Sequence, residues 1–149
     1  MTLFEEWLAE RGLDIDVRTY PAGTRTAQHA AAAIGCDVAQ IVKSLVFTAA
    51  GRPVVALVSG ASRLDPARLA ALAGGPVAKA GADVAKTATG YAIGGVPPFG
   101  HATPLPVYMD RALAAFDVVW AAAGRPDAVF PIAPDRLAEL SGAHVETLT

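Results

Sequence analysis

The sequence has 149 residues, a formal net charge of −2, a hydrophobic content of 53% and one cysteine. These values exclude an internal disulfide and argue against a protein that grips long stretches of nucleic-acid backbone. No apolar run approaches the roughly 18 residues of a membrane helix. The first twelve residues are acidic at Glu5 and Glu6 and lack the pattern of a signal peptide, so we predict a cytoplasmic protein with one domain spanning residues 1–149.

The first third of the chain predicts two helices and a strand between them. Apolar residues at helical spacing predict a helix that begins near Leu3 and stops at Gly12. The segment "DIDVRTY", 14–20, alternates like a half-buried strand. "TAQHAAAAIG" then predicts a second helix, with Thr26 as its N-cap and Gly35 after its end.

The middle of the chain predicts a hairpin followed by a helix. "IVKSLVF", 41–47, and "PVVALVS", 53–59, are apolar on both faces, which predicts strands in the centre of a sheet. "LDPARLAALAGG" predicts a helix that Asp65 caps, that Pro66 begins and that Gly74 follows.

The remaining segments alternate between short strands, short helices and one long loop. Residues 90–106, "GYAIGGVPPFGHATPLP", carry four glycines and four prolines, a composition typical of a shaped loop. The other predicted elements are strands at "PVAKA", "PVYMD", "DVVWAAA", "AVFPI" and "HVETL", and helices at "ADVAKTATG" and "PDRLAELSG". Together, these elements predict a mixed α/β or α+β fold.

Lys43 lies inside an apolar strand, and two interpretations of it are open. Side chains alternate along a strand, so Lys43 shares a face with Leu45 and Phe47, whereas Ser44 points the other way. In one interpretation Lys43 lies near the strand's start and extends its ammonium into water. In the other, the ammonium lies at the floor of a pocket, where it attracts an oxyanion or a phosphate.

The segment "IGGVPPFG" favours the second interpretation. Gly94 and Gly95 offer backbone N–H donors that no Cβ obstructs, and Pro97 and Pro98 stiffen the loop beyond them. A tight structural turn is the alternative. The spacing matches neither a dinucleotide-binding fingerprint nor a phosphate-binding loop.

Other candidate chemistry is sparse. His29, His101 and His144 are far apart and lack metal-ligand spacing, so we predict neither a metal nor a cofactor. His101 follows the glycine pair and is a candidate acid, base or rim residue. Cys36 has nothing near it in sequence that would lower the pKa of a nucleophilic thiol.

Two motifs together resemble the YbaK/EbsC family, whose members are also called ProX or ProXp proteins. This family is related to the insertion (editing) domain of bacterial prolyl-tRNA synthetases. The motifs are the lysine of "IVKSLVF" and the later loop "GYAIGGVPP", and the resemblance runs from about Val17 to the C-terminus. It implies a mixed, barrel-like sheet flanked by helices.

The resemblance also implies trans-editing by an aminoacyl-tRNA deacylase. Such a protein hydrolyses the ester between a wrongly attached small amino acid and the 3′-terminal adenosine of a tRNA. Water attacks the carbonyl with help from the ribose 2′-OH or backbone groups, and no side chain acts as a nucleophile. Editing is needed because a binding pocket discriminates poorly between small amino acids.

The resemblance assigns roles to particular residues. Lys43 corresponds to the lysine that binds the terminal phosphate or the carbonyl and orients the ester, and Gly94 or Gly95 corresponds to the loop glycine that positions substrate or water. The expected pocket walls are Tyr20, Ser44, Ser59, Tyr91 and His101. The chain has Ala121, Ala122 and Ala123 where cysteine-editing members carry a serine and glycines, so the edited amino acid stays open.

The expected partner is the 3′ CCA end of a mischarged tRNA, with an aminoacyl-tRNA synthetase as a second candidate and no membrane. A monomer and a homodimer are both open. The main alternative function is a binding module that holds aminoacyl-tRNA or a small aminoacyl compound without cleaving it. A nucleic-acid-binding regulator is a third reading, which the net charge disfavours.

Overall fold

The computed structural model describes residues 2–21, 24 and 26–149 and has a mixed α/β architecture. The described residues form five α-helices and eight strands in two sheets. The helices are α1 (Leu3–Glu10), α2 (Ala27–Ile34), α3 (Pro66–Ala73), α4 (Ala82–Thr89) and α5 (Pro134–Ser141). The strands are β1 (Arg18–Thr19), β2 (Val42–Ala49), β3 (Arg52–Ser59), β4 (Val77–Lys79), β5 (Val107–Asp110), β6 (Val119–Ala122), β7 (Ala128–Ile132) and β8 (His144–Glu146).

The larger sheet has five strands in the order β4-β2-β3-β5-β8. The β2–β3 hairpin is antiparallel over its whole length and lies between other strands on both sides, which confirms its predicted central place. β5 joins β3 in parallel, and β8 joins β5 in parallel. The sheet is therefore mixed, because an antiparallel half meets a parallel half at β3.

The smaller sheet has three antiparallel strands in the order β1-β7-β6. An isolated parallel bridge between Ile41 and Trp120 connects the start of β2 to β6. Among the described strands, this bridge is the only pairing between the sheets. A barrel-like closure therefore stays a prediction.

The two faces of β3 pack into different hydrophobic clusters. Val55 and Leu57 belong to the main core, which also takes residues from β6, β7, α1 and α5. Val54, Ala56 and Val58 belong to a second cluster with Leu69 of α3. This alternation explains why the sequence of β3 is apolar without interruption.

The predicted strand at 14–20 is shorter in the structure. Only Arg18 and Thr19 form ladder pairs, with Val129 and Ala128 of β7, and both are exposed. Ile15 and Val17 still pack partly against the main core, as their alternation predicts. The alternation therefore predicted the partial burial of Ile15 and Val17, whereas Thr19, the next residue in the same alternation, is exposed. The hydrogen-bonded strand is shorter than predicted, because burial alone does not supply a pairing partner.

The last residues are fixed by contacts outside any strand. Leu148 is fully buried in the second cluster, its N–H donates to Asp110 Oδ1 at 2.8 Å, and its carbonyl accepts from the N–H of Asp65 at 2.7 Å. The predicted strand "HVETL" therefore ends at Glu146, and side-chain and cap contacts replace the ladder beyond it.

Leu148→Ala is expected to lower the free energy of unfolding by about 2–5 kcal/mol, because it removes a buried side chain and leaves a cavity. Urea denaturation measures this change. Leu72→Ala on α3, where the side chain is 37% exposed, is the matched control and should cost less than about 1 kcal/mol. Equal losses in the two variants would show that the terminal contact does not stabilise the fold.

Candidate functional site

The glycine-proline loop has an exposed tip and a buried stem. Residues 92–94 are exposed, whereas residues 95–100 are buried. Phe99 anchors the stem through aromatic contacts with Phe4, Trp7 and Phe130, at centroid distances of 5.3–5.7 Å. The loop predicted from composition is thus an ordered part of the core that presents a short exposed tip.

This tip borders a cavity of about 300 Å³ between α2, the start of β2, and the strands β6 and β7. The described residues around the cavity are mostly small and apolar. They include three of the predicted site residues, Lys43, Ser44 and Gly94. The remaining lining residues are Thr24, Thr26, Ala27, Ala30, Ile41, Val42, Leu45, Ile93, Val96, Trp120, Ala121, Ala122 and Val129.

Lys43 is partly buried beside the cavity, and its Nζ donates to the carbonyl oxygen of Ser62 at 2.6 Å. Burial lowers the pKa of Lys43, and the positive charge of Arg63 lowers it further. Among the described residues, no carboxylate forms an ion pair with this ammonium. A lysine has three N–H donors, so two remain for a ligand.

Ser44 follows Lys43 and faces the other way, on the side where Val42 and Val46 enter the main core. Its Oγ is buried, and no described residue hydrogen-bonds to it. An unsatisfied buried hydroxyl costs roughly 1–3 kcal/mol.

Ser44→Ala is expected to raise the free energy of unfolding by about 1 kcal/mol, because it removes a buried hydroxyl to which no described residue hydrogen-bonds. Urea denaturation measures this change. Ser141→Ala, which removes a hydroxyl bonded to Leu137 O at 2.7 Å, is the control that should lose stability. A Ser44→Ala protein that is less stable than the wild type would contradict this prediction.

Gly94 and Gly95 differ in what surrounds them. Gly94 has φ +97°, and a Cβ placed on it would meet no atom within 4 Å. A Cβ on Gly95 would lie 3.0 Å from the Cα of Arg125 in the β6–β7 turn. The Gly95 N–H donates to Ala92 O at 3.0 Å, whereas no described backbone group accepts from the Gly94 N–H. Of the two glycines, Gly94 therefore has the donor that is free to meet a ligand.

The structure does not bring the other predicted wall residues to this cavity. Ser59 is buried, and its Oγ donates to Ala39 O at 2.7 Å. Tyr91 is buried, its hydroxyl donates to Gly100 O at 2.7 Å, and burial raises the pKa of this hydroxyl. His101 Nε2 donates to Pro97 O at 2.7 Å. Tyr20, just after β1, donates its N–H to Asp127 O at 2.8 Å.

The sequence analysis missed two parts of the cavity wall. Ala27 and Ala30 of α2 lie three residues apart on one helical face, yet alanines in a helix are typical of any helix and carry no signal for a pocket. Trp120 also lines the cavity, with the guanidinium of Arg18 5.0 Å from its ring centroid. An aromatic residue within the predicted strand "DVVWAAA" was the sequence signal for Trp120, and it does not distinguish a cavity wall from a packed core.

Among the described residues, no three His, Cys, Asp and Glu side chains cluster as metal ligands. Within the same residues, no helix has the length and apolarity to cross a membrane.

Comparison with known proteins relates this chain to aminoacyl-tRNA editing domains. Residues 21–140 match the family of aminoacyl-tRNA editing domains. The uncharacterized protein YwhH of Bacillus subtilis (strain 168) is 31% identical over 145 residues, which cover 97% of this chain and 90% of YwhH.

Two solved structures share the fold over almost the full length. A candidate trans-editing enzyme for prolyl-tRNA synthetase superimposes with a TM-score of 0.93 at 46% identity, covering 99% of this chain and 94% of that one. The protein APE2540 superimposes with a TM-score of 0.89 at 34% identity, covering 98% of each chain.

Proposed function

The chain belongs to the aminoacyl-tRNA editing domain family, and we propose from this that it is an aminoacyl-tRNA deacylase acting on mischarged tRNA. One observation carries the proposal. Lys43, Ser44 and Gly94 come from two distant segments and line the same cavity. The similarity to a candidate trans-editing enzyme for prolyl-tRNA synthetase supports the same reading.

In the proposed reaction, water attacks the carbonyl carbon of the ester that joins the amino acid to the terminal ribose. The ester C–O bond breaks, the ribose oxygen takes a proton, and a free amino acid and an uncharged tRNA result. The neighbouring ribose 2′-OH assists the water. This mechanism requires no nucleophilic side chain, so the protein contributes positioning and charge stabilisation.

Lys43 supplies the cation in this proposal. The hydrogen bond to Ser62 O orients its ammonium group. Two N–H donors of the ammonium remain for the terminal phosphate or the ester carbonyl. Partial burial strengthens this attraction, because screening by water is reduced. The positive charge of Arg63, which lowers the pKa of Lys43, makes the site more electropositive still.

Gly94 supplies a backbone donor in the same proposal. Its exposed N–H lies beside the cavity and suits the negative charge that develops on the carbonyl oxygen. Gly95, whose own N–H closes the turn, keeps this tip in place against Arg125. In this proposal Gly94 donates its N–H to the substrate, and Gly95 holds the loop in place. The sequence alone did not distinguish these two roles.

The proposed substrate carries a small amino acid, as the family resemblance implies. Alanine side chains at 27, 30, 121 and 122 and the aliphatic residues beside them give the cavity a largely apolar wall, which would suit a short apolar side chain. Tyr20, Ser59, Tyr91 and His101 stay proposed as supporting residues around the site rather than at the cavity. Ala121 and Ala122 provide no hydroxyl for a cysteine thiol, so we do not assign cysteine.

We further propose that residues 1–149 act as one cytoplasmic editing unit that holds the CCA end of the tRNA. The main core includes residues from both sheets, which favours a single folding unit. The net charge of −2 suits recognition of a short unpaired end by stacking and 2′-OH contacts more than tracking of a long duplex. A synthetase partner would add selectivity for the tRNA body.

The competing function is a binding module that holds aminoacyl-tRNA without cleaving it. The observation that favours it is the absence of any acidic or histidine side chain among the described cavity residues. Such a module would retain affinity and give no acceleration of ester loss.

A panel of tRNAs charged with alanine, serine, threonine, cysteine or proline tests the proposal. The purified protein should release one or two of these amino acids much faster than buffer alone, and the released set names the substrate. Tight binding across the panel with no faster release would favour the binding module instead.

A further inference from the structure

The buried stem of the glycine loop has an unusual hydrogen-bonding requirement. Pro97 and Pro98 have no N–H, so this part of the stem has few donors of its own. Buried carbonyl groups still need partners. Two side chains meet this need, since His101 Nε2 donates to Pro97 O and Tyr91 Oη donates to Gly100 O, each at 2.7 Å.

We propose that His101 is a positioning residue that fixes the glycine loop through Pro97 O and so aims the Gly94 N–H at the cavity. The proposal rests on the proposed function, because the aimed N–H matters only where Gly94 meets a ligand. It assigns His101 an effect on the reaction without contact with the substrate.

The position of His101 supports this indirect role. It is absent from the described lining of the Lys43 cavity and borders a separate cavity of about 430 Å³ behind the loop, together with Trp7, Phe99 and Leu140. A residue on that side reaches the reacting atoms only through the loop. Pro97 lies three residues from Gly94, and Gly95 between them packs against the backbone of Arg125, so a shift at the Pro97 carbonyl is transmitted along a short, closely packed segment.

The protonation state of the ring agrees with this contact. A carbonyl oxygen only accepts, so Nε2 carries the proton. Burial lowers the pKa of His101, which keeps the ring neutral near pH 7, with Nδ1 unprotonated. The neutral ring thus needs one acceptor, and Pro97 O provides it.

Loss of the His101–Pro97 hydrogen bond is expected to affect the reaction rate more than the stability of the fold. The net contribution of one neutral hydrogen bond to the stability of a fold is modest. A displacement of about 1 Å in a catalytic donor can lower a rate roughly 100-fold. His101 is therefore expected to affect kcat more than the stability of the fold.

Three substitutions separate positioning from other roles. The amide nitrogen of His101→Gln lies the same number of bonds from Cβ as Nε2, so it can replace the donor. The amide nitrogen of His101→Asn lies one bond closer, and His101→Leu has no donor. We expect the glutamine variant to keep wild-type kcat within a few-fold, and the asparagine and leucine variants to lose roughly tenfold or more with little change in KM.

Amide hydrogen exchange of protein labelled with ¹⁵N-glycine provides a readout that does not depend on activity. The Gly95 N–H is bonded to Ala92 O, so loosening of the loop should speed its exchange. We expect faster exchange in the asparagine and leucine variants and wild-type exchange in the glutamine variant. If the wild-type protein releases no amino acid, the proposed function fails, and this exchange still decides whether His101 holds the loop.

Two results would overturn the inference. Unchanged Gly95 exchange in His101→Leu would mean that the hydrogen bond does not hold the loop. A glutamine variant as inactive as the leucine variant, with wild-type exchange, would mean that the imidazole takes a direct part in the reaction.

Discussion

Lys43→Met is expected to reduce the rate of amino acid release by roughly 100- to 1,000-fold, the usual loss when one charge-stabilising donor is removed. Methionine keeps the unbranched apolar stem and removes only the ammonium. The bond to Ser62 O is lost, which costs about 1 kcal/mol. Relief from burying a charge offsets part of this cost. The fold should therefore persist, as circular dichroism and urea denaturation would verify.

Lys86→Met is the matched control for this prediction. Lys86 lies exposed on α4, away from the described residues of the cavity, and carries the same charge. It should keep wild-type rates, so a loss confined to Lys43→Met would identify a local effect. Similar losses in both variants would indicate that only the overall charge of the protein matters for tRNA binding.

Gly95→Val is expected to abolish measurable release and to lower the free energy of unfolding by about 1–3 kcal/mol. A Cβ at this position already lies 3.0–3.1 Å from the N, Cα and C atoms of Arg125, and valine adds two further methyl groups. Backbone atoms cannot rotate away as a side chain does. The loop must therefore move, and the Gly94 N–H moves with it. Single-turnover release and thermal unfolding measure the two effects.

Gly81→Val controls for the general effect of valine at a glycine. Neither Gly81 nor Gly95 has a positive φ, and a Cβ on Gly81 meets nothing within 4 Å. The Gly81 variant should keep wild-type release with a smaller loss of stability. Full activity in Gly95→Val would disprove the close packing on which this prediction depends.

Elements with local sequence signals were predicted accurately. Asp65 Oδ1 accepts from the N–H of Ala67 at 3.0 Å, Pro66 begins α3, and Gly74 ends it with φ +82°. Each of these signals acts within a few residues of its effect. The β2–β3 hairpin was equally clear, because one tight turn determines which strands pair.

Features that depend on distant partners were less predictable. The parallel pairing of β5 with β3 joins residues about fifty positions apart, and nothing local in "PVYMD" specifies it. The short Val38–Gln40 3₁₀ helix is the exception, because its Asp37 capping box is a local signal and the helix was still not predicted. Resemblance to a family, rather than spacing, suggested that Lys43 and Gly94 meet.

The walls of the cavity were the least predictable part of the site. Tyr91 lies three residues before the glycine pair and His101 six residues after it, and both were predicted to line the site. Their polar atoms instead bond to the stem carbonyls of Gly100 and Pro97. The two prolines have no N–H, so the buried carbonyl groups beside them need side-chain donors. This need becomes visible only once the burial of the stem is known. Conversely, Ala27 and Ala30 looked like ordinary helix formers and turned out to line the cavity.

Hydrolysis in H₂¹⁸O under single-turnover conditions tests the central claim most directly. The substrate is the mischarged tRNA whose amino acid the protein releases fastest. The account predicts release roughly 100-fold or more above the rate in buffer, with one ¹⁸O in the carboxylate of the freed amino acid. Release no faster than in buffer, or rapid release without ¹⁸O, would contradict hydrolysis by water at the Lys43 cavity.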